Sequence, residues 1–559
     1  MLANDHTTTV APSPDARLGR IFLWLLVCLS ALFLYGISLW WGELNQDEGW
    51  YLYAGRMVAE QQVPYRDFAF TQGPVMAYVY ALAYPLVQWQ GVLGGRIITV
   101  LLAWCALGLA VYLVRMIARR RGQDPFFPML LVVAFWGMNL YQVYFTTIVK
   151  TYALAAVCML AGLVLLERTL GAIAEHENRF VGRVFGASCA GGALLALAAG
   201  SRLSAAFLLP ACWLPLAVRW IRAGRPQGLG SWLLGMLVGG TLGIGIVFGP
   251  FLLLAPHGLQ FGLLTYHAGR AAETPFALLA YKGGFVLRLA QAYWPLLVAA
   301  ALLPWGGRNR EEKLYAQLHT VAGMHVPFGI GFLAVTLVHL FSVFPYDDYQ
   351  VFVMPLAMML VALSLGRVMD RRMARGNMHA LWVGRLLLVL MLFSLSGALF
   401  QSWLVGPRDL IWWPLRERSS LGQLRDVGER LRGGRPRATV DGTLLTQDLY
   451  LAVEAGYRVP RGLEMGPFAN FWHLPDAEAA RLNVLNYAGV SNMVAGVDAD
   501  WAAYSGYGFA IETPAIVPVD ALQREALLRM LRARFVLVDV IPAFGQAMTD
   551  LYLYQRGHQ

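Results

Sequence analysis

Charge is scarce in this 559-residue sequence: Asp, Glu, Lys and Arg together make up 14% of it, while 58% of its residues are hydrophobic. That scarcity excludes a single soluble domain, because so much apolar surface exceeds what one aqueous core can bury. Cysteine is sparse too, and Cys28, Cys105, Cys158, Cys189 and Cys212 all lie inside apolar runs. Such placement suggests neither a disulfide framework nor a cysteine metal site. Short segments of alternating polarity are missing, which argues against a β-barrel. The net charge of +10 comes from small basic clusters between apolar runs. It is therefore a topology signal, and no nucleic-acid partner is expected. No small-residue cleavage site follows the first apolar run, so Ile21 onward is expected to be a retained anchor.

What the sequence does have is apolar runs such as Ile21 to Gly42, Ile97 to Val114 and Leu386 to Val405. Their length suits helices crossing a hydrocarbon core of roughly 30 Å. Arg17 and Arg20 ahead of the first run place the N-terminus in the cytoplasm by the positive-inside rule. The short piece Val75 to Trp89 carries Pro85, and if it spanned, the cluster Arg115, Arg119, Arg120 and Arg121 would fall outside. It is accordingly read as a juxtamembrane or re-entrant segment. Spans are expected at about 21–42, 97–114, 126–145, 151–166, 184–200, 203–218, 231–255, 285–305, 324–344, 349–366 and 385–405. The fold class is thus a polytopic α-helical membrane protein of about eleven spans.

Three regions follow: a cytoplasmic tail over 1–20, a transmembrane domain over 21–405 with its first outer loop at 43–96, and an extracytoplasmic soluble domain over 406–559. In the last, "RPRATVDG" and "ARFVLVDV" read as strands and "DALQREALLRMLRA" as a helix capped by Asp520, giving a mixed α/β domain. It shows no internal repeat and no catalytic motif.

The outer loops hold the chemistry. "NQDEGWYLYAGRMVAEQQVPYRDF" places Asp47 and Glu48 at the membrane edge, followed by Tyr65, Arg66 and Asp67. Trp50, Tyr53, Ala54, Met57 and Val58 share one helical stripe, as in an amphipathic helix lying in the interface. Asn45 with Glu48 three residues on also fits a capping box, so a purely structural role stands beside a catalytic one. The same face receives Arg96, Lys150, Arg202, "TYHAGRAAETP" with His267 and Arg270, and "FPYDDYQ" with Tyr346, Asp347 and Asp348. Lysine occurs elsewhere only at 282 and 313. Ionisable residues at membrane level are costly and mark ligand paths. Arginines can bind phosphate oxygens bidentately, and a carboxylate can take a proton from an attacking hydroxyl. Structural alternatives remain open: Arg96 and Arg288 can snorkel at span ends, Asp347 and Asp348 can cap a span, and His267 can be a packing residue.

Taken together, "QDEGWYLYAGRMVAEQQVPYRDFAFTQGP", "GGRIITVLLAW", "LLALAAGSRLSAAFLLP" and "YDDYQVFVMPLAMMLVA" resemble the GT-C superfamily of membrane glycosyltransferases, in its ArnT-like and protein O-mannosyltransferase-like branch. The resemblance implies eleven to thirteen spans with outer-face juxtamembrane helices. It implies transfer of a sugar from a polyprenyl-phosphate donor to a hydroxyl of a lipid, glycan or protein acceptor in the cell envelope, with inversion, at the inner (plasma) membrane. By the same resemblance Asp47 is the general base, and Glu48 orients it or touches the donor. Arg202 stands where relatives carry Lys in a Thr-Lys pair, here Ser201-Arg202, and it, Arg96 and Lys150 are the donor-phosphate ligands. Tyr65, Arg66, Asp67, His267, Arg270, Tyr346 and Asp347 are expected around the substrate cavity. No cofactor is required by the sequence, no metal-binding residues are assigned, and a divalent cation would be compatible with the chemistry. A transporter or flippase of a lipid-linked saccharide is the competing reading, though repeated halves and broken midplane helices are not evident.

Overall fold

A computed structural model describes residues 14–175, 181–268, 274–301, 303, 324–374, 418–510 and 519–557. The chain is a multi-pass membrane protein, with six helices among the described residues long and apolar enough to cross a bilayer. They include α1 (Pro14–Trp41), which is followed by α2 (Gln46–Ala59), α3 (Val75–Leu82) and α4 (Tyr84–Gln90). The next long helix is α5 (Val92–Arg120), and after it come the short α6 (Phe126–Gly137) and α7 (Leu140–Phe145). Then follow α8 (Thr151–Glu175), α9 (Val181–Ser201), α10 (Leu208–Arg222) and α11 (Gln227–Leu254). Leucine, isoleucine and phenylalanine side chains project outward from α1 and α11, as a hydrocarbon solvent demands.

Small residues decide how the central helices pack. A Cβ added to Gly239 of α11 would meet the Cys189 carbonyl oxygen at 1.8 Å, and one on Gly192 of α9 would meet the Met236 oxygen at 2.3 Å. The two backbones therefore touch, which is how membrane helices gain packing where lipid offers no hydrophobic driving force.

Several expected spans take other forms. The segment 126–145 is broken into α6 and α7, too short to cross. Asn139 ends one and caps the other, accepting from Gln142 N at 3.0 Å and donating to the Ala292 carbonyl at 2.9 Å. Both pieces are buried in protein, where their polar groups find partners. The segment 285–305 is instead a pair, α12 (Pro275–Ala292) and α13 (Trp294–Ala301), bent by 76° next to Pro295. Counting that pair as one span gives up to 7 among the described residues, which leaves the expected count of eleven unconfirmed. Helices α14 (His325–Phe341) and α15 (Met354–Ala374) replace the ninth and tenth expected spans with shifted ends. The eleventh, at 385–405, and the boundary at 405/406 lie outside the described residues. Val75 to Trp89 forms the two short helices α3 and α4, neither long enough to span.

The C-terminal region is α/β, with a four-stranded sheet in the order β1 (Leu444–Thr446), β2 (Trp501–Tyr504), β4 (Thr549–Arg556), β3 (Phe535–Phe544). β1 and β2 are parallel; the β3–β4 hairpin joins antiparallel. "ARFVLVDV" supplies β3, and Asp520 caps Ala521–Arg532 by accepting from Leu522 N and Gln523 N at 3.0 Å. "RPRATVDG" is not a strand: Pro436 leads into a 3₁₀ turn at Arg437–Thr439, and the strand starts later, at Leu444.

This region sits on α2. Helix α2 is therefore buried on nearly every face and not laid on the lipid interface as its stripe suggests. A Cβ on Gly49 would meet Tyr450 N at 2.2 Å, so only glycine permits the approach. Tyr53 OH accepts from Val459 N at 3.0 Å, Arg56 donates to the Tyr457 carbonyl at 2.8 Å, and Gln46 N donates to Gln546 Oε1 at 2.7 Å.

Two carboxyls at this junction make its stability depend on pH. Burial pushes Asp448, which accepts from Tyr450 and Ser505, up to about 6, and Glu464 up to about 7. Their neutral forms are favoured in the folded state. The stability they allow is fully present below 3.8 and 4.5, and is lost as pH rises through about 6 and about 7. For Asp448 the difference is about 3 kcal/mol. Melting temperature should fall between about pH 4 and about pH 7, and Asp448→Asn with Glu464→Gln should flatten that fall.

Candidate functional site

The first turn of α2 presents Asp47 and Glu48 in opposite directions. Asn45 Oδ1 accepts from Asp47 N at 3.1 Å, which fixes the helix start. Glu48 does not complete a capping box. Its carboxylate turns inward to Arg96 of α5, with Nε–Oε1 and Nη2–Oε2 distances of 2.8 Å, both side chains wholly buried. Arg96 donates its remaining hydrogens to the carbonyls of Leu39, Gly42 and Glu43 at the end of α1. It has no donor left for a phosphate and no route to one. The pair is a lock joining α1, α2 and α5, and neither residue stands where a substrate could touch it.

Asp47 points the other way. Its Oδ1 accepts from Trp50 Nε1 at 3.2 Å, and its Oδ2 lies 3.1 Å from Lys150 Nζ. Lys150, in the turn before α8, also reaches Asp348 Oδ2 at 2.7 Å, and Tyr152 OH donates to the same oxygen at 2.7 Å. Burial alone would lower the Lys150 ammonium and raise the Asp348 carboxyl. The two facing charges and the Tyr152 hydrogen bond reverse both tendencies, holding Lys150 protonated and Asp348 below the usual carboxylate range. Asp47 keeps 27% of its side chain exposed, against 11% for Asp347 and Asp348 and none for Glu48. It is the one carboxylate of the four that an incoming molecule can reach.

Asp347 is held elsewhere, by Arg288 Nε at 2.6 Å and Tyr141 OH at 2.5 Å. It ties α12 and α7 to the 347–350 turn. Arg288 is thus a structural partner and not a snorkelling residue.

Arg202 follows α9 in an extended conformation at φ −144°. Its guanidinium lies 4.2 Å from the Tyr349 ring centre and 4.8 Å from that of Tyr152, and its Nη1 donates to Thr151 Oγ1 at 3.3 Å. It is buried, and its Nε has no partner among the described residues. The residue lines a cavity of about 210 Å³ together with Thr71, Gln72, Gly73, Ser204, His267, His339 and Tyr349. A cation held between aromatic rings at the wall of a cavity is arranged to receive an anion.

Of the residues expected around the cavity, His267 lines it and donates Nε2–H to the Thr71 carbonyl at 3.0 Å. Tyr65 does not line it. Held at φ +67°, it donates to the Gln72 carbonyl and packs on Phe70 and Phe251, shaping the loop that supplies the wall. Arg66 and Asp67 pair with each other at the surface, and Asn483 donates to the Arg66 carbonyl. They anchor the loop to the C-terminal region instead of facing substrate. Tyr346 packs tilted against Tyr349 with ring centres 5.3 Å apart, outside the lining, and Arg270 lies outside the described residues. Sequence reasoning missed Tyr152, Tyr349, Ser204 and His339; the first two could have been found as aromatics flanking the lone lysine and the Asp-Asp pair.

A divalent ion between Asp47 and Asp348 does not suit this donor set, because the Lys150 ammonium already bridges the two carboxylates. Among the described residues no group of three or more His, Cys, Asp or Glu could hold a metal.

No protein-family model matches the sequence, and no curated protein matches it significantly. Solved structures do match. ArnT from Cupriavidus metallidurans in the apo state aligns with a TM-score of 0.58 and 15% identity, over 96% of this chain and 98% of that one. The same protein bound to undecaprenyl phosphate aligns with a TM-score of 0.54 and 16% identity, over 95% and 97%. With nearly the whole of both chains covered, the chain shares the fold of these ArnT structures, as its resemblance to the GT-C superfamily implied.

Proposed function

We propose that the chain is an integral-membrane glycosyltransferase that moves a sugar from a polyprenyl-phosphate donor to an acceptor hydroxyl. The observation that carries this reading is the buried Arg202 lining the cavity, joined through Tyr152, Asp348 and Lys150 to the accessible carboxylate of Asp47. That one of the similar structures holds undecaprenyl phosphate supports a lipid phosphate as the anion.

In the transfer, the acceptor oxygen forms a bond to the anomeric carbon as the bond from that carbon to the phosphate oxygen breaks. The phosphate leaves with the electron pair, and Arg202 stabilises the charge developing on it. Asp47 takes the acceptor's proton. One base suffices, since a phosphate needs no proton to leave, unlike the paired carboxylates of glycoside hydrolysis. Attack from the side opposite the phosphate inverts the anomeric centre. Lys150 is assigned to holding Asp47 toward the acceptor, with Asp348 and Tyr152 fixing Lys150. The acceptor is a lipid, glycan or protein of the cell envelope. The site faces the extracytoplasmic side of the inner membrane, with the N-terminus in the cytoplasm and the C-terminal region outside.

Reconstitution in liposomes with a labelled polyprenyl-phosphate sugar tests the assignment. Transfer of label to an acceptor with release of polyprenyl phosphate is expected. Movement of intact labelled lipid between leaflets without transfer would establish a flippase instead.

A further inference from the structure

The cavity beside Arg202 carries a second polar pair that the transfer chemistry leaves without a role. Ser204, on the 3₁₀ turn Leu203–Phe207, and His339, near the end of α14, both line it. His339 Nε2 lies 2.8 Å from Ser204 Oγ, and its Nδ1 lies 2.9 Å from Gln350 Nε2. An amide nitrogen donates and does not accept, so Gln350 makes Nδ1 the acceptor and leaves the ring proton of a neutral imidazole on Nε2. Gln350 is wholly buried, and its Oε1 lies 3.1 Å from Thr336 Oγ1, whose hydroxyl donates to the Phe332 carbonyl at 2.7 Å. With the Gln350 amide nitrogen toward the ring, the direction of the chain follows. His339 Nε2–H donates to Ser204 Oγ, and the hydroxyl keeps its own proton for whatever fills the cavity.

Ring contacts brace this arrangement. The His339 ring sits edge-on to Tyr349 with centroids 5.5 Å apart, and Tyr349 in turn supports the Arg202 guanidinium. Ser204 is two residues beyond Arg202 on a turn whose first hydrogen bond runs from Ala205 N to the Arg202 carbonyl. A fixed cation and a fixed neutral O–H therefore flank one small space. Two non-bridging oxygens of a phosphate ester match such a pair of donors.

We propose that Ser204 is a phosphate ligand beside Arg202, and that His339 and Gln350 are positioning residues that keep the Ser204 hydroxyl proton turned toward the anion. The inference rests on the lipid-phosphate reading above. In the donor, the phosphate is a diester with a single charge; after transfer it is a monoester with more. A donor hydrogen bond to it strengthens as the leaving group forms, which favours the transition state over the bound substrate.

The test is binding of undecaprenyl monophosphate to the purified full chain in detergent, followed by intrinsic fluorescence, with melting temperature recorded for each variant. Ser204→Ala is expected to raise Kd by about ten- to a hundredfold, the worth of a hydrogen bond to a charged group, at unchanged melting temperature. Ser204→Thr, which keeps the hydroxyl, should restore most of the affinity. His339→Gln should weaken binding in the wild-type background and add nothing to Ser204→Ala, as expected of a residue acting only through that serine. Wild-type affinity in Ser204→Ala, or additive losses in the double variant, would overturn the proposal while leaving the transferase reading intact. A wild-type chain that binds no undecaprenyl monophosphate would overturn both.

Discussion

Asp47→Asn is expected to lower kcat by about a hundred- to ten-thousandfold, the usual contribution of a positioned general base. KM for the donor should move much less, since the donor phosphate is assigned to Arg202 and Ser204, not to this side chain. The amide keeps the Trp50 Nε1 hydrogen bond and the helix start at Asn45, so the melting temperature should hold. What it loses is the ability to accept a proton and its charge toward Lys150, which keeps Asp348 as a partner 2.7 Å away. The measurement is single-turnover transfer from a labelled polyprenyl-phosphate sugar, with folded protein quantified independently. Retained turnover would remove Asp47 from the role of base. Asp348→Asn is an instructive contrast: it removes the carboxylate that buries and fixes Lys150, so both stability and turnover should fall together.

The sequence disclosed this site in part, and its failures share a physical cause. The scarcity of charge made every ionisable residue at membrane level conspicuous, which is why Asp47, Lys150 and Arg202 could be gathered onto one face from hydropathy and the positive-inside rule. Pattern alone does not tell a charge aimed at a ligand from one aimed at another charge. Glu48 and Arg96 looked like site residues for the same reason as Asp47 and Arg202, yet they satisfy each other. The same holds for Asp347, which Arg288 satisfies, and for Arg66 with Asp67. Span prediction failed where apolar composition concealed a polar stitch: Asn139, Gln142 and Thr146 break the run at 126–145 because each finds a partner inside the protein. Helix α2 was misplaced on the interface because its apolar stripe faces the rest of the protein and its other side meets the C-terminal region. Only tertiary contacts such as those at Gly49, Tyr53 and Arg56 reveal that cover.

Arg96→Met is expected to destabilise the protein by about 3–5 kcal/mol, since removing one partner leaves the Glu48 carboxylate charged and unpaired in a fully buried place. The loss also strips the carbonyls of Leu39, Gly42 and Glu43 of their shared donor, so the end of α1 should loosen as well. Arg96→Lys should rescue little. An ammonium cannot reproduce the two-pronged contact with Glu48 and reach three carbonyls from one stem. Replacing both partners with apolar or neutral groups, as in Glu48→Gln with Arg96→Met, should be milder than Arg96→Met alone, because no uncompensated charge remains. Thermal unfolding in detergent, paired with donor KM per folded molecule, separates this role from direct phosphate binding. A phosphate ligand would raise KM in a chain of normal stability; a lock lowers the melting temperature and the yield of folded protein while the surviving fraction keeps its KM. Since Glu48 and Asp47 are consecutive on the first turn of α2, the lock also determines how the base is presented. A partial fall in kcat alongside the loss of stability is therefore expected, and it should recover in the double variant to the extent that α2 regains its seat against α5.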